Sequence, residues 1–162
     1  EIEPIYLIGD FDVKATDKRF VLCKAEPKTE LKSWNEMGWP FYPYGVNYTK
    51  QYKVDKTEGK QYIVKADAWK GTVAEVYVNG EKVGIIYSNP YTLNVTQALK
   101  TGENSIQVRV IGGMENMIGP FHSMPNGLTG PHSWRNVNTV SKPTEYRITP
   151  YGMTGDFVLM TN

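Results

Sequence analysis

The run from Gly71 to His122 constrains this chain more than any other stretch. Near its start, Ala74, Val76 and Val78 point one way while Glu75 and Tyr77 point the other. A period of two marks a half-buried β-strand, because successive side chains leave opposite faces of an extended backbone. Asn79-Gly80 follows. Both residue types tolerate positive φ, so the chain reverses tightly into a second strand over Val83-Gly84-Ile85-Ile86. Beyond Gly102-Glu103-Asn104 the alternation returns, with Ile106, Val108 and Val110 facing inward and Gln107 and Arg109 outward.

The same period appears elsewhere. Pro4 to Val13 reads as a first strand interrupted at Gly9, and Phe20 to Ala25 as a second. Gly45 to Val54 sends Val46, Tyr48, Tyr52 and Val54 inward, with Lys50 breaking the apolar series. Gln61 to Asp67 alternates Tyr62, Val64 and Ala66. Thr144 to Thr149 and Phe157 to Met160 close the chain as strands. About ten short strands separated by Gly, Pro and Asn are the signature of a β-sandwich or barrel. Helix signals are scarce: Thr96 to Leu99 is read as a single turn, capped by Thr96.

Two segments stand outside this pattern. Ser33 to Tyr44 carries five aromatics in twelve residues: Trp34, Trp39, Phe41, Tyr42 and Tyr44. Gly112 to Pro143 is rich in Gly, Pro, Asn and Met, and it holds both histidines, His122 and His132, together with Trp134 and Arg135. It exceeds the ~12–15 residues usual for a structureless connection. Pyranose rings stack their C–H faces on flat aromatic rings while polar groups take the hydroxyls. The candidate carbohydrate-binding set is therefore Trp34, Asn35, Glu36, Tyr44, His122, His132, Trp134 and Arg135, with Trp39 and Tyr42 beside it. The competing reading is that such rings plug the end of a sandwich or pack on a neighbouring domain, since large aromatics are mostly buried. Trp39, held between Gly38 and Pro40 beside a core strand, is assigned to bracing, and Trp34 and Trp134 to ligand contact.

Composition narrows the function class. A length of 162 residues suits one domain with one core, and a net charge of +1 gives no electrostatic reason for a nucleic-acid or membrane partner. No apolar run approaches the ~20 residues of a membrane span. The chain begins at Glu1 and is read as an excised or processed piece of something longer. The single cysteine, Cys23, lies in an alternating run and is read as a buried, inert thiol.

Glycoside hydrolysis commonly uses two carboxyl groups ~5–10 Å apart. The chain has 17 acidic residues, and nothing in their spacing pairs two of them. Asp10 and Asp12 share a strand face, which makes them weak Ca²⁺ candidates, with a solvated face as the simpler reading. His122 and His132 lack a third ligand at a useful spacing, so zinc is weakly supported. No cofactor is otherwise indicated. No Gly-x-Ser-x-Gly elbow and no Gly-rich phosphate loop occurs. Asn47-Tyr48-Thr49 and Asn94-Val95-Thr96 match the glycosylation sequon, a pattern short enough to arise by chance.

The order of the pieces is more specific than any one of them. An alternating strand from Val76, Asn79-Gly80, Pro90-Tyr91, Thr96 to Leu99, Gly102 to Asn104 and a last strand from Ile106 to Val110 follow in that order. This sequence of elements resembles the galactose-binding-like β-sandwich that accompanies large glycoside hydrolases, such as those of family 2 and the rhamnosidase-like enzymes. Gly119-Pro120-Phe121-His122 looks like the Gly-Pro-His-His turn of some of these enzymes, with Phe121 departing at the first His. Asn94 stands where the family commonly has Asp, and Pro43-Tyr44 where it often has Ser-Gly.

The resemblance implies an all-β, antiparallel jelly-roll sandwich spanning residues 1–162, a C-terminal piece of a larger bacterial enzyme that degrades polysaccharide. It further implies a periplasmic or extracellular location, and as partners carbohydrate and the catalytic domain of the parent chain. Three functions follow: a sugar-binding accessory domain, a structural brace on a catalytic domain, or, ranked last, a small jelly-roll hydrolase using Glu36 or Asp67 with His122.

Overall fold

The computed structural model describes residues 5, 7–28, 30–117 and 142–162. Within them the chain forms eleven strands, β1 (Phe11–Ala15), β2 (Phe20–Lys24), β3 (Gly45–Val54), β4 (Tyr62–Lys65), β5 (Trp69–Lys70), β6 (Val73–Val78), β7 (Glu81–Ile86), β8 (Thr92–Asn94), β9 (Gly102–Ile111), β10 (Gly152–Met153) and β11 (Val158–Thr161). The only helical pieces among the described residues are the 3-10 turns Glu115–Met117 and Pro143–Glu145. No helix there is long and apolar enough to cross a membrane.

A four-stranded antiparallel sheet in the order β3-β9-β6-β7 and a three-stranded one in the order β11-β4-β8 share one hydrophobic core. This is the expected sandwich. The alternation sets the register: Val46, Val110 and Ala74 lie abreast across β3, β9 and β6, as do Tyr48, Val108 and Val76. Val64, Tyr62 and Ala66 close the core from the other sheet, with Val95, Leu99 and Phe157. Asn79 (φ 53°) and Gly80 (φ 91°) make the expected left-handed turn between β6 and β7.

Lys50 lies on the inward side of β3 without breaking the core. Its ammonium reaches Asp156 Oδ2 at 2.7 Å and the carbonyl of Phe157 at 3.2 Å, and it lies 5.5 Å from the ring centres of Tyr52 and Phe157. The aliphatic stem takes the apolar position while the charge finds a carboxylate at the rim.

Four sequence expectations need correction. Among the described residues the first strand starts at Phe11, and Leu7 and Ile8, expected within it, are exposed and outside any strand; Pro4 lies outside the described residues. Cys23 is exposed, because β1 and β2 form a separate two-stranded sheet rather than a layer of the sandwich. Residues 144–149 contain no strand; Thr144 and Glu145 belong to a 3-10 turn. The turn after β8 is capped by Asn94, whose Oδ1 accepts from the Thr96 N–H at 3.0 Å, while the Thr96 hydroxyl accepts from the Tyr62 N–H at 2.8 Å. Asn94 thereby does what an Asp would do there: either side chain offers the oxygen that a turn's free N–H requires.

Candidate functional site

The aromatic segment forms one end of the sandwich. Residues 34–38 make a tight turn, closed by Met37 N–H to the Ser33 carbonyl (3.1 Å) and Trp39 N–H to the Trp34 carbonyl (2.7 Å). Its N-terminus carries one half of a capping box, the Glu36 carboxylate reaching back to the Ser33 N–H. Glu36 Oε2 accepts from the Ser33 N–H at 3.2 Å and also from the Ser33 hydroxyl. These bonds, led by the hydroxyl, hold the Glu36 carboxyl below its ordinary pKa. Ser33-x-x-Glu36 is the sequence signature of that motif, so this role could have been read in advance.

Trp34 is 1% exposed. Its Nε1–H donates to the Tyr48 hydroxyl at 2.9 Å, which also accepts from the Met153 N–H at 3.1 Å. The indole lies against two glycines. A Cβ on Gly112 would come within 2.5 Å of Trp34 Cζ3, and one on Gly152 within 2.6 Å of Cδ1. The expectation of ligand contact at Trp34 is therefore corrected: its faces meet backbone and core, and no sugar can stack on it.

Around this plug the rings continue outward. Tyr42 lies 5.7 Å from Trp34, 6.4 Å from Trp39 and 5.8 Å from Tyr44, measured between ring centres. Tyr42 is 39% exposed and Tyr44 65%, so these two form the outer surface of the cluster. Asn35 is half-buried, and its Oδ1 is buried with no hydrogen-bond partner among the described residues.

Trp39 is half-buried, and its Nε1–H donates to Asp12 Oδ1 at 2.9 Å. Asp12 Oδ2 accepts from Lys28 Nζ at 2.6 Å and from the Glu26 N–H at 3.4 Å. Burial raises the Asp12 pKa, but the Lys28, Trp39 and Glu26 hydrogen bonds outweigh it, and the net shift is downward. Asp12 is thus neither a solvated strand residue nor a free cation ligand, since its oxygens are already occupied. Asp10 is exposed and does not join it. Among the described residues no three His, Cys, Asp or Glu side chains gather into a metal site.

Asp67, the other acid considered for catalysis, is exposed and pairs with Lys65 Nζ at 2.9 Å, which lowers its pKa. A general acid needs the opposite shift. His122, His132, Trp134 and Arg135 lie outside the described residues.

The flanks of residues 118–141 are fastened to this end by Asn116. Its Nδ2 donates to the carbonyls of Pro40 and Thr149, each at 2.9 Å, and its Oδ1 accepts from the Thr149 N–H at 2.8 Å. No sequence motif announced that bolt, because its partners are backbone atoms distant in the chain. At the far end of the sandwich lies an open groove of about 860 Å³ between the β6–β7 turn and residues 59–61 and 94–98. It contains none of the expected site residues.

The solved structures that share this architecture include a rhamnosidase from Novosphingobium sp. PP1Y, with a TM-score of 0.53 and 19% identity over 99% of this chain and 16% of that one. Another is a Bifidobacterium dentium beta-glucuronidase, with a TM-score of 0.51 and 18% identity over 93% of this chain and 28% of that one. The chain shares a β-sandwich fold with part of each of these proteins. A curated protein of Formosa agariphila, named as a candidate beta-glucuronidase, is 34% identical over 114 residues, or 67% of this chain. This chain spans about 10% of that relative's length. No protein-family model matches the chain.

Proposed function

We propose that this chain is a non-catalytic accessory domain of a larger glycoside hydrolase and that it braces the catalytic domain of that parent. The observation that carries this is how the aromatic end is used. Trp34 fills the core, Glu36 caps a turn, and Asp12 is held by Lys28 and Trp39. These three of the described candidates are spent on holding the end rigid. What remains outside is the apolar area of Tyr42, Tyr44 and Met114, of the kind that packs on a neighbouring domain. The small share of its relatives' length that the chain spans agrees with that role.

The chain alone should release no phenol from aryl glucuronides, rhamnosides, mannosides or galactosides. Turnover abolished by Glu36→Gln or Asp67→Asn would overturn the reading and make the domain an enzyme. In the parent, Tyr42→Ala combined with Tyr44→Ala should lower the melting temperature more than in the isolated chain.

A second reading rests on Tyr44, whose exposed ring is of the type that stacks on a sugar. Saturable oligosaccharide binding that Tyr44→Ala removes would favour it over bracing.

A further inference from the structure

β3 is the last strand of its sheet, and only one of its backbone edges is paired, to β9. The Tyr44 carbonyl accepts from the Gly112 N–H at 2.9 Å, which fixes the phase of that ladder. Hydrogen-bonded pairs recur at every second residue, so Val46, Tyr48, Lys50, Tyr52 and Val54 turn their N–H and C=O groups toward β9. Those of Asn47, Thr49, Gln51 and Lys53 point the other way and have no backbone partner among the described residues.

Such an edge is a template for another strand. A second β3, running antiparallel about Thr49, fits it. Thr49 would face Thr49, Asn47 would face Gln51 and Gly45 would face Lys53, with no like charges opposed. On the inner face Val46 would meet Tyr52. Lys50 is the residue that spoils this fit.

Its ammonium crosses the open side of the sandwich, from β3 at the edge of one sheet toward β11 at the edge of the other, and is received by Asp156 and the Phe157 carbonyl. The Lys50 side chain is 35% exposed and that of Asp156 52%, so the pair still draws on water. Its hydrogen bond to Asp156 raises the Lys50 pKa above the ordinary lysine value, and the charge is present at neutral pH. A second copy laid along β3 would cover this side and strip that water, at a cost that the attraction within the pair does not fully repay. We infer that Lys50 keeps the β3 edge from pairing with a second copy of this chain. An inward-pointing charge on an edge strand is tolerated only while the edge stays wet. This role belongs to the open side of the sandwich and does not rest on the bracing at the aromatic end.

The test is analytical ultracentrifugation of the 162-residue chain and its Lys50→Met variant from about 1 μM to about 1 mM, paired with amide hydrogen exchange. Met keeps an unbranched, flexible stem and drops the charge. The wild type should stay monomeric, with rapid exchange at Asn47, Thr49 and Gln51. Lys50→Met should dimerise with a Kd at or below about 10 μM, at least about a hundredfold tighter than the wild type, and those three amides should become protected. Lys50→Arg, which keeps the charge, should stay monomeric. Adding Gln51→Pro to Lys50→Met should restore the monomer, because that N–H faces away from β9 and its loss removes no existing ladder bond. Near-UV dichroism verifies the fold of each variant, and Lys50→Leu takes the place of Lys50→Met should the latter not fold. A folded, monomeric Lys50→Met chain overturns the inference. So does a wild type or Lys50→Arg chain that dimerises with the same amides protected, or a Lys50→Met dimer that survives Gln51→Pro. Failure of both the Met and the Leu variants to fold overturns it as well, since Lys50 would then be a requirement of the fold itself.

Discussion

Asn79 Nδ2 donates to Asn104 Oδ1 at 3.0 Å, joining the β6–β7 turn to the start of β9. Asn104 is 1% exposed and all its hydrogen-bonding capacity is used: its Nδ2 reaches the carbonyls of Lys100 (2.7 Å) and Gly102 (3.0 Å), and its Oδ1 also accepts from the Lys100 N–H (3.0 Å). Two short motifs, Asn-Gly and Gly-x-Asn, are thus halves of one lock. The first supplies a turn with positive φ and the second a buried amide that closes the loop before β9.

Asn104→Ala should cost roughly 2–4 kcal/mol of folding stability, because it strands several buried backbone groups at once. Asn104→Asp should fare no better, since a carboxylate cannot donate to the Lys100 and Gly102 carbonyls. A double-mutant cycle with Asn79→Ala, read by urea denaturation, should show coupling of about 0.5–3 kcal/mol between the two side chains. Additive effects would mean that the two amides act independently.

Trp34→Ala should cost about 3–5 kcal/mol, the usual loss for a buried aromatic. Gly112→Ala should also destabilise the chain, because the added methyl would sit 2.5 Å from the indole. Tyr44→Ala should change stability by less than about 0.5 kcal/mol, as for an exposed side chain. Equal effects at Trp34 and Tyr44 in a denaturant titration would contradict the division between plug and outer surface.

The sandwich was legible because its long strands advertise themselves. β6 and β9 alternate without interruption and β3 with one break at Lys50, and the turn between β6 and β7 has the residues that its φ values demand. Trp34 was misread for the opposite reason. Its burial depends on Tyr48, Gly112 and Gly152, three partners spread over more than a hundred residues, and no local pattern encodes their convergence. Cys23 was misread because alternation reports a strand, not which sheet the strand joins. Residues 69–70 and 152–153 pair over only two positions, too few for any period to register. Glu36 was within reach, since its capping box is written in four consecutive residues.

The placement of Cys23 yields a direct check. An exposed thiol on the β1–β2 sheet should react fully with Ellman's reagent in native buffer, at a rate close to that of the unfolded chain. Protection that lifts only in denaturant would restore the buried thiol expected from the alternation.

The link between Asp12 and Trp39 predicts a specific acid response. The Asp12 pKa is lowered from 3.8 in the folded chain, so the carboxylate form binds its partners better than the neutral form does. A depressed folded-state pKa contributes stability that is present above the unfolded value and is lost as pH falls through the folded one. At neutral pH, Asp12→Asn should therefore cost about 1–3 kcal/mol, the range for a charged hydrogen bond. Below the ordinary carboxylate pKa the native chain begins to lose that same contribution, so the gap between the two proteins should narrow as acid is added. Glu36, Asp67 and Glu75, whose pKa values are also lowered, titrate in both proteins and cancel in the difference. Paired urea titrations from pH 7 down to about pH 2.5 isolate the Asp12 contribution. A gap that stays constant over that span would show that Asp12 holds the β1–β2 hairpin to the Trp39 turn by shape alone.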